Sequence, residues 1–187
     1  TIIFLPCATS LVASALIFKS LFALDGLVNV LLVNHHFISQ PINWLTHPVW
    51  AKVIVIFTIT WRWTGYNTVF FLAGLQGIEY SIYEAARIDG ASTVQTFFRI
   101  TLPQLKPVVL LTAIMSTNGT LQLFDEVKNL TGGGPGNATI TISQYIYDLS
   151  FKYNPQFGYA AAVSYAILII VALLSFIQII LADRKEK

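Results

Sequence analysis

The chain has 187 residues, of which 55% are hydrophobic and only 11% charged, with a mean hydropathy of +0.67 and a formal net charge of +2. A soluble domain usually carries about 25% charged residues, so the deficit and the long uncharged runs argue against a soluble protein and for an all-α integral membrane protein, one domain over residues 1–187. The charge is too small to suggest a nucleic-acid partner, and the lone Cys7 excludes an intrachain disulfide and leaves small apolar packing as its role.

Four apolar spans are predicted. The first covers residues 2–18. No basic segment of the signal-peptide kind precedes it, Pro6 lies in its first turns, where a proline is tolerated, and Lys19 at its end is placed to snorkel. Residues 25–48 read as a loop with a short apolar piece at 27–33. It has no Lys or Arg and holds His35, His36 and His47. Adjacent histidines on a helix cannot both face one metal, and no carboxylates join them, so no metal site is expected.

The second span covers residues 49–75. Arg62 sits near its middle, between Trp61 and Trp63. An intramembrane arginine costs about 2.5–3.5 kcal/mol on insertion scales, so it should face protein or water. It either lines a path through the bundle, or forms a structural ion pair or an interfacial contact beside belt tryptophans.

Residues 76–106 form a polar island with its own helical pattern. Ile82, Tyr83, Ala86 and Ile88 fall near helical spacing. Gly90 then ends the turn, because glycine takes the left-handed conformation without a Cβ penalty. Ser92 and Gln95 have capping-box spacing for a second short helix. Its Val94, Phe97, Phe98 and Ile100 suggest a face that lies on the bundle, and Pro103 and Pro107 end it. Ala85-Ala86 leaves a bare patch of backbone that a partner could approach. On composition alone the island is either a docking surface or a cover over the bundle end.

The third span covers residues 107–124, a short one unless residues 121–127 extend it. Asn118, Gly119, Thr120 and Gln122 interrupt its outer half. Gly-interrupted spans often mark a midplane binding site, where amides can hold a polar ligand. The competing role is hydrogen bonding to a neighbouring helix. Residues 125–157 read as a polar loop. Its Gly132-Gly133-Gly134-Pro135 run lacks the Gly-Lys-Ser/Thr ending of a phosphate loop. The last span covers residues 157–182, with a small-residue stripe at Gly158, Ala162 and Ala166 that permits close helix packing. Tyr165 lies off that stripe, facing either a central path or a packed neighbour.

Glu84-Ala85-Ala86, then Gly90, then Ile100-x-Leu102-Pro103 resembles the loop signature of binding-protein-dependent ABC importer permeases, in particular the maltose- and lactose-type sugar branch. Phe4-Leu5-Pro6, Trp61 to Asn67, Leu72-Ala73-Gly74-Leu75, Leu130 to Pro135 and Gly158 to Ala162 extend the resemblance over nearly the whole chain. The family usually has six spans, so two more are expected upstream. The resemblance implies that loop 76–106 is a coupling segment seated in a cytoplasmic ATPase. Glu84 and Gly90 would anchor it and Ala85 and Ala86 would allow a close seat, with Asp89, Ile100, Leu102 and Pro103 in the same motif. It implies a second permease subunit, expected as a heterodimer, two ATP-binding subunits and an extracellular solute-binding protein that faces the 125–157 region. The substrate would be a sugar, expected to be an oligosaccharide. No cofactor is expected on this chain; ATP and Mg would be used by the ATPase partner. Asn118, Gln122, Arg62 and Tyr165 are the candidate substrate path.

Basic residues set the orientation. Arg87, Arg99 and Lys106 in the coupling loop and Arg184, Lys185 and Lys187 in the tail fall on one face of the four alternating spans; the opposite side holds Lys128 and Lys152 in its loops, with Lys19 and Lys52 at span ends. The loop and the C-terminus are therefore expected in the cytoplasm of a bacterial cell, with the chain crossing its inner membrane. Two other classes compete. An ion-driven secondary transporter would normally carry Asp or Glu well inside its spans. A membrane-embedded enzyme would need a Ser-His or His-Glu set at one depth, and none is seen.

Overall fold

The computed structural model describes residues 5–152 and 154–183, and every segment with regular structure among them is helical. The expected first span is two helices, α1 (Leu5–Ala8) and α2 (Leu11–Leu21). Its predicted start at residues 2–4 lies outside the described residues. The break falls at Thr9-Ser10, where side chains compete with the backbone: Thr9 Oγ1 donates to the Pro6 carbonyl at 2.9 Å and shares a 2.7 Å hydrogen bond with Ser14. Lys19 lies inside α2 rather than beyond its end.

The predicted loop at 25–48 contains α3 (Leu27–Asn34). Asn29, 1% exposed, organises it. Its Nδ2 donates to the carbonyls of Ala23, Leu24 and Ile42, and its Oδ1 accepts from the Ile42 amide and Trp44 Nε1, all within 2.9–3.2 Å. An amide buried with all these bonds made fixes the chain where regular secondary structure does not.

The expected second span is the single helix α4 (Pro48–Gln76), 29 residues and about 43 Å long at 1.5 Å per residue. Proline at its start is favourable, since the missing N–H has no helical partner there. The segment expected to couple follows as α5 (Tyr80–Ile88), α6 (Thr93–Thr96), a π-helical turn over Phe97–Thr101 and α7 (Leu102–Gln104). α8 (Lys106–Leu121) occupies the expected third span; it stops three residues short of the expected 124 and is not extended by residues 121–127. α11 (Phe157–Asp183) occupies the expected fourth.

Among the described residues, α11 alone is both long and apolar enough to cross a bilayer by itself. The stretch Thr93–Gln104 with Lys106–Leu121 is a second candidate if taken as one span bent by 60°. α4 has the length, but Lys52, Arg62 and its tryptophans and threonines dilute its apolar character.

The segment expected as an outward polar loop is largely folded. It holds α9 (Asp125–Leu130), α10 (Ile142–Tyr147) and a π-helical turn over Asp148–Lys152. Val127 and Leu130, 0% and 1% exposed, pack in the main apolar cluster with Ala15, Phe18, Ile54, Val55 and Leu123. α9 is thus wedged against α2 and α4. Leu123, Val127 and Leu130 recur at helical spacing on the buried side, while Asp125 and Lys128 turn away from it. Asp148 is also buried, held by Lys128 Nζ at 3.8 Å and Lys152 Nζ at 3.6 Å. Among the described residues the stripe on α11 is left largely uncovered: Ala162 and Ala166 are exposed, Ala166 bordering an open groove with Ile140, Thr141 and Tyr145, and a Cβ at Gly158 would meet no atom within 4 Å.

Candidate functional site

The segment expected to couple is built by two local devices. α5 ends in a Schellman turn, with the Gly90 amide donating to the Arg87 carbonyl at 3.1 Å and the Ala91 amide to the Ala86 carbonyl at 2.9 Å. Gly90 has φ +76°, and a Cβ there would meet nothing within 4 Å. Backbone conformation, not space, therefore requires the glycine. α6 then starts on the predicted capping box. The Gln95 amide donates to Ser92 Oγ at 3.3 Å, and the Ser92 amide donates to Gln95 Oε1 at 2.9 Å.

These two devices fold the segment around an open groove of about 700 Å³, lined by Ala85, Ala86, Asp89, Gly90, Arg99 and Ile100 among others. Five of the eight motif residues are thereby brought together. Glu84 is exposed on α5 but does not line the groove, and Leu102 and Pro103 line a second groove, against the end of α11. The second helix does not lay its apolar face on the bundle. Val94 is 67% exposed, Phe97 47% and Phe98 61%, and Ile88 on α5 reaches 86%. Contiguous exposed apolar groups on that scale are uncommon on a surface that faces water alone.

The four residues expected to form a substrate path each have their own surroundings. Arg62 Nε lies 4.0 Å from Glu126 Oε1 on α9, both side chains being mostly buried, and its guanidinium carbon is 5.9 Å from the Tyr66 ring centre. Asn118 Oδ1 accepts from Ser175 Oγ on α11 at 3.4 Å. Gln122 is exposed just beyond α8, and Tyr165 is 69% exposed on α11. Gly119 lets α8 approach α4, because a Cβ there would overlap the Trp63 ring.

Sequence reasoning missed the partners of these groups. Glu126 reads as a loop residue until α9 is seen to enter the bundle. Gln178 Nε2 donates to Thr117 Oγ1 at 2.8 Å, while Gln178 Oε1 and Ser116 Oγ are buried without a hydrogen-bond partner. Ser116, Thr117 and Thr120 border a groove of about 400 Å³ with Leu121 and Leu174. The signal was a polar residue, Gln178, inside an otherwise apolar span. Among the described residues, no group of three or more His, Cys, Asp or Glu could hold a metal ion.

A family model described as "Binding-protein-dependent transport system inner membrane component" matches residues 1–187. The chain is 57% identical over 188 residues to the lactose transport system permease protein LacF of Rhizobium radiobacter, covering 100% of this chain and 63% of that protein. It is 36% identical over 180 residues to the arabinooligosaccharides transport system permease protein AraP of Bacillus subtilis, covering 95% and 56%. It is 43% identical over 137 residues to the trehalose/maltose transport system permease protein MalF of Thermococcus litoralis, covering 73% and 45%. The chain thus spans about three fifths or less of the length of these relatives. The fold is similar to a chain of a bacterial ABC transporter involved in the import of the acidic polysaccharide alginate, with a TM-score of 0.87 and 26% identity, covering 100% of this chain and 65% of that one.

Proposed function

Because the chain belongs to the family of binding-protein-dependent transport system inner membrane components, we propose that it is the permease part of an ATP-driven sugar importer. It forms half of a translocation path and pairs with a second, different permease subunit. Two ATP-binding subunits hydrolyse ATP with Mg, this chain carrying no catalytic residue of its own. A solute-binding protein delivers an oligosaccharide from outside, and loop 76–106 and the C-terminus face the cytoplasm. The sugar class is supported by the lactose, arabinooligosaccharide and maltose systems to which the relatives' names assign them.

The observation that carries the reading is the groove under Ala85, Ala86 and Gly90, flanked by the protruding Ile88. An ATPase seated there and closing on ATP would carry α5 and α6 with it. The bundle would then pass between two packings, one open to each side, provided the docked partner contacts each packing differently. In the polar path, Asn118 and Gln122 would hydrogen-bond sugar hydroxyls, with Ser116 and Gln178 beside them offering buried, unspent hydrogen-bonding atoms. Arg62 and Tyr165 would border that path.

The test is purification of the full transporter followed by reconstitution. The reading expects a stoichiometric ATPase subunit to travel with this chain and sugar uptake to require ATP. Uptake driven by an ion gradient without ATP would remove it.

A further inference from the structure

Along the chain, force delivered at the groove reaches α8 through residues 97–105, and that route has two weak points. Phe97–Thr101 is a π-helical turn, and the chain bends by 60° between Thr93–Gln104 and Lys106–Leu121. π-turns and sharp bends lack the regular hydrogen-bond ladder that stiffens an α-helix. Left to itself, the segment could yield without turning α8.

Two contacts brace it. At the base of α8, Leu105 is 6% exposed, and α8 is keyed onto α4 at Gly74. A Cβ on Gly74 would come within 2.9 Å of Leu105 Cδ2 and 2.7 Å of Val108 Cγ2. Across the loop, the Tyr83 hydroxyl shares a 3.1 Å hydrogen bond with Thr101 Oγ1, joining α5 to the end of the π-turn over 18 residues of chain. Thr101 is 7% exposed and Tyr83 is half-buried, so water does not readily replace the bond. Among the described residues, this is the side-chain hydrogen bond that joins α5 to the π-turn.

We propose that the Tyr83–Thr101 hydroxyl pair is the brace that makes the docked helix α5 and the base of α8 turn as one body. Tyr83 and Thr101 are positioning residues: they touch neither ATP nor sugar, and they fix the yield of transport per ATP rather than the rate of hydrolysis. The proposal rests on the ATPase-docking reading above.

The experiment uses the complete transporter with its partner subunits in proteoliposomes, carrying Tyr83→Phe, Thr101→Val, both together, or Thr101→Ser. Basal ATPase activity and sugar taken up per ATP are measured for each. Tyr83→Phe and Thr101→Val are expected to assemble with normal basal ATPase activity. Each should lower uptake per ATP by about fivefold, the size of one net hydrogen bond. The double variant should be no worse than either single, and Thr101→Ser, which keeps the hydroxyl, should behave as the parent. Unchanged uptake per ATP in both singles overturns the brace, as do losses that multiply in the double. Failure of Tyr83→Phe to assemble would make the pair a folding element and overturns it too. A parent complex that carries no ATPase defeats the docking reading instead, so the two failures are distinguishable.

Discussion

Substitution at Gly90 separates backbone conformation from contact. Its φ of +76° lies in the left-handed region, and no atom stands within 4 Å of where a Cβ would be. Alanine therefore meets no steric clash with the rest of the protein and pays only the conformational penalty, about 1–2 kcal/mol, which is a factor of about 5–30 in the population of the turn. Asparagine tolerates this conformation and should behave close to glycine. Proline fixes φ near −65°, about 140° away, and removes the N–H that donates to the Arg87 carbonyl at 3.1 Å. Its cost of about 3 kcal/mol or more exceeds a hundredfold in the turn population. The parent glycine and the three variants should thus rank Gly, Asn, Ala, Pro in sugar uptake and in substrate-stimulated ATPase activity of the reconstituted transporter. Membrane insertion, read by expression and detergent-resistant folding, should stay constant. Normal uptake by Gly90→Pro, or a ranking that follows side-chain size instead of conformation, would refute the reasoning.

Two further substitutions test the bundle itself. Gly119→Ala puts a methyl group into the Trp63 ring and should lower thermal stability in detergent by about 1–3 kcal/mol; Trp63→Leu in the same chain should restore part of it, and an unshifted melting temperature in Gly119→Ala would contradict the packing. For the mostly buried Arg62–Glu126 pair, Arg62→Met alone strands a carboxylate against apolar neighbours and should destabilise by a few kcal/mol, whereas Arg62→Met with Glu126→Leu should recover much of that loss. Equal losses in the single and double variants would show that Arg62 acts elsewhere.

What could be read from the sequence was local. The limits of α4 and α11 follow from long, mostly apolar runs, and the Gly90 turn and the Ser92–Gln95 cap follow from chemistry within four residues. What could not be read was long-range. Leu123, Val127 and Leu130 do carry a helical period, but Asp125, Glu126 and Lys128 interleave with them and give the stretch the polarity of a loop. Only the space between α2 and α4 shows that the apolar side wins. Asn29 looked like any loop amide, because three of its five partners, from Ile42 and Trp44, lie 13–15 residues away. Phe97 and Phe98 were grouped correctly as part of an apolar face, yet a periodicity does not say what covers that face. The cost of an intramembrane arginine requires Arg62 to face protein or water, but Glu126 becomes its partner only through the fold.

The central claim is that an ATPase grips the segment at residues 76–106 from the cytoplasmic side. Its most direct test is a cysteine at Ile88, the 86% exposed side chain beside the groove, introduced into the assembled transporter with Cys7 replaced. A short bifunctional crosslinker added to membranes should join this position to the ATP-binding subunit, and a membrane-impermeant thiol reagent applied from outside intact cells should leave it unlabelled. Labelling from the external face, or a complex in which Ile88→Cys reaches no ATP-binding chain, would contradict the account.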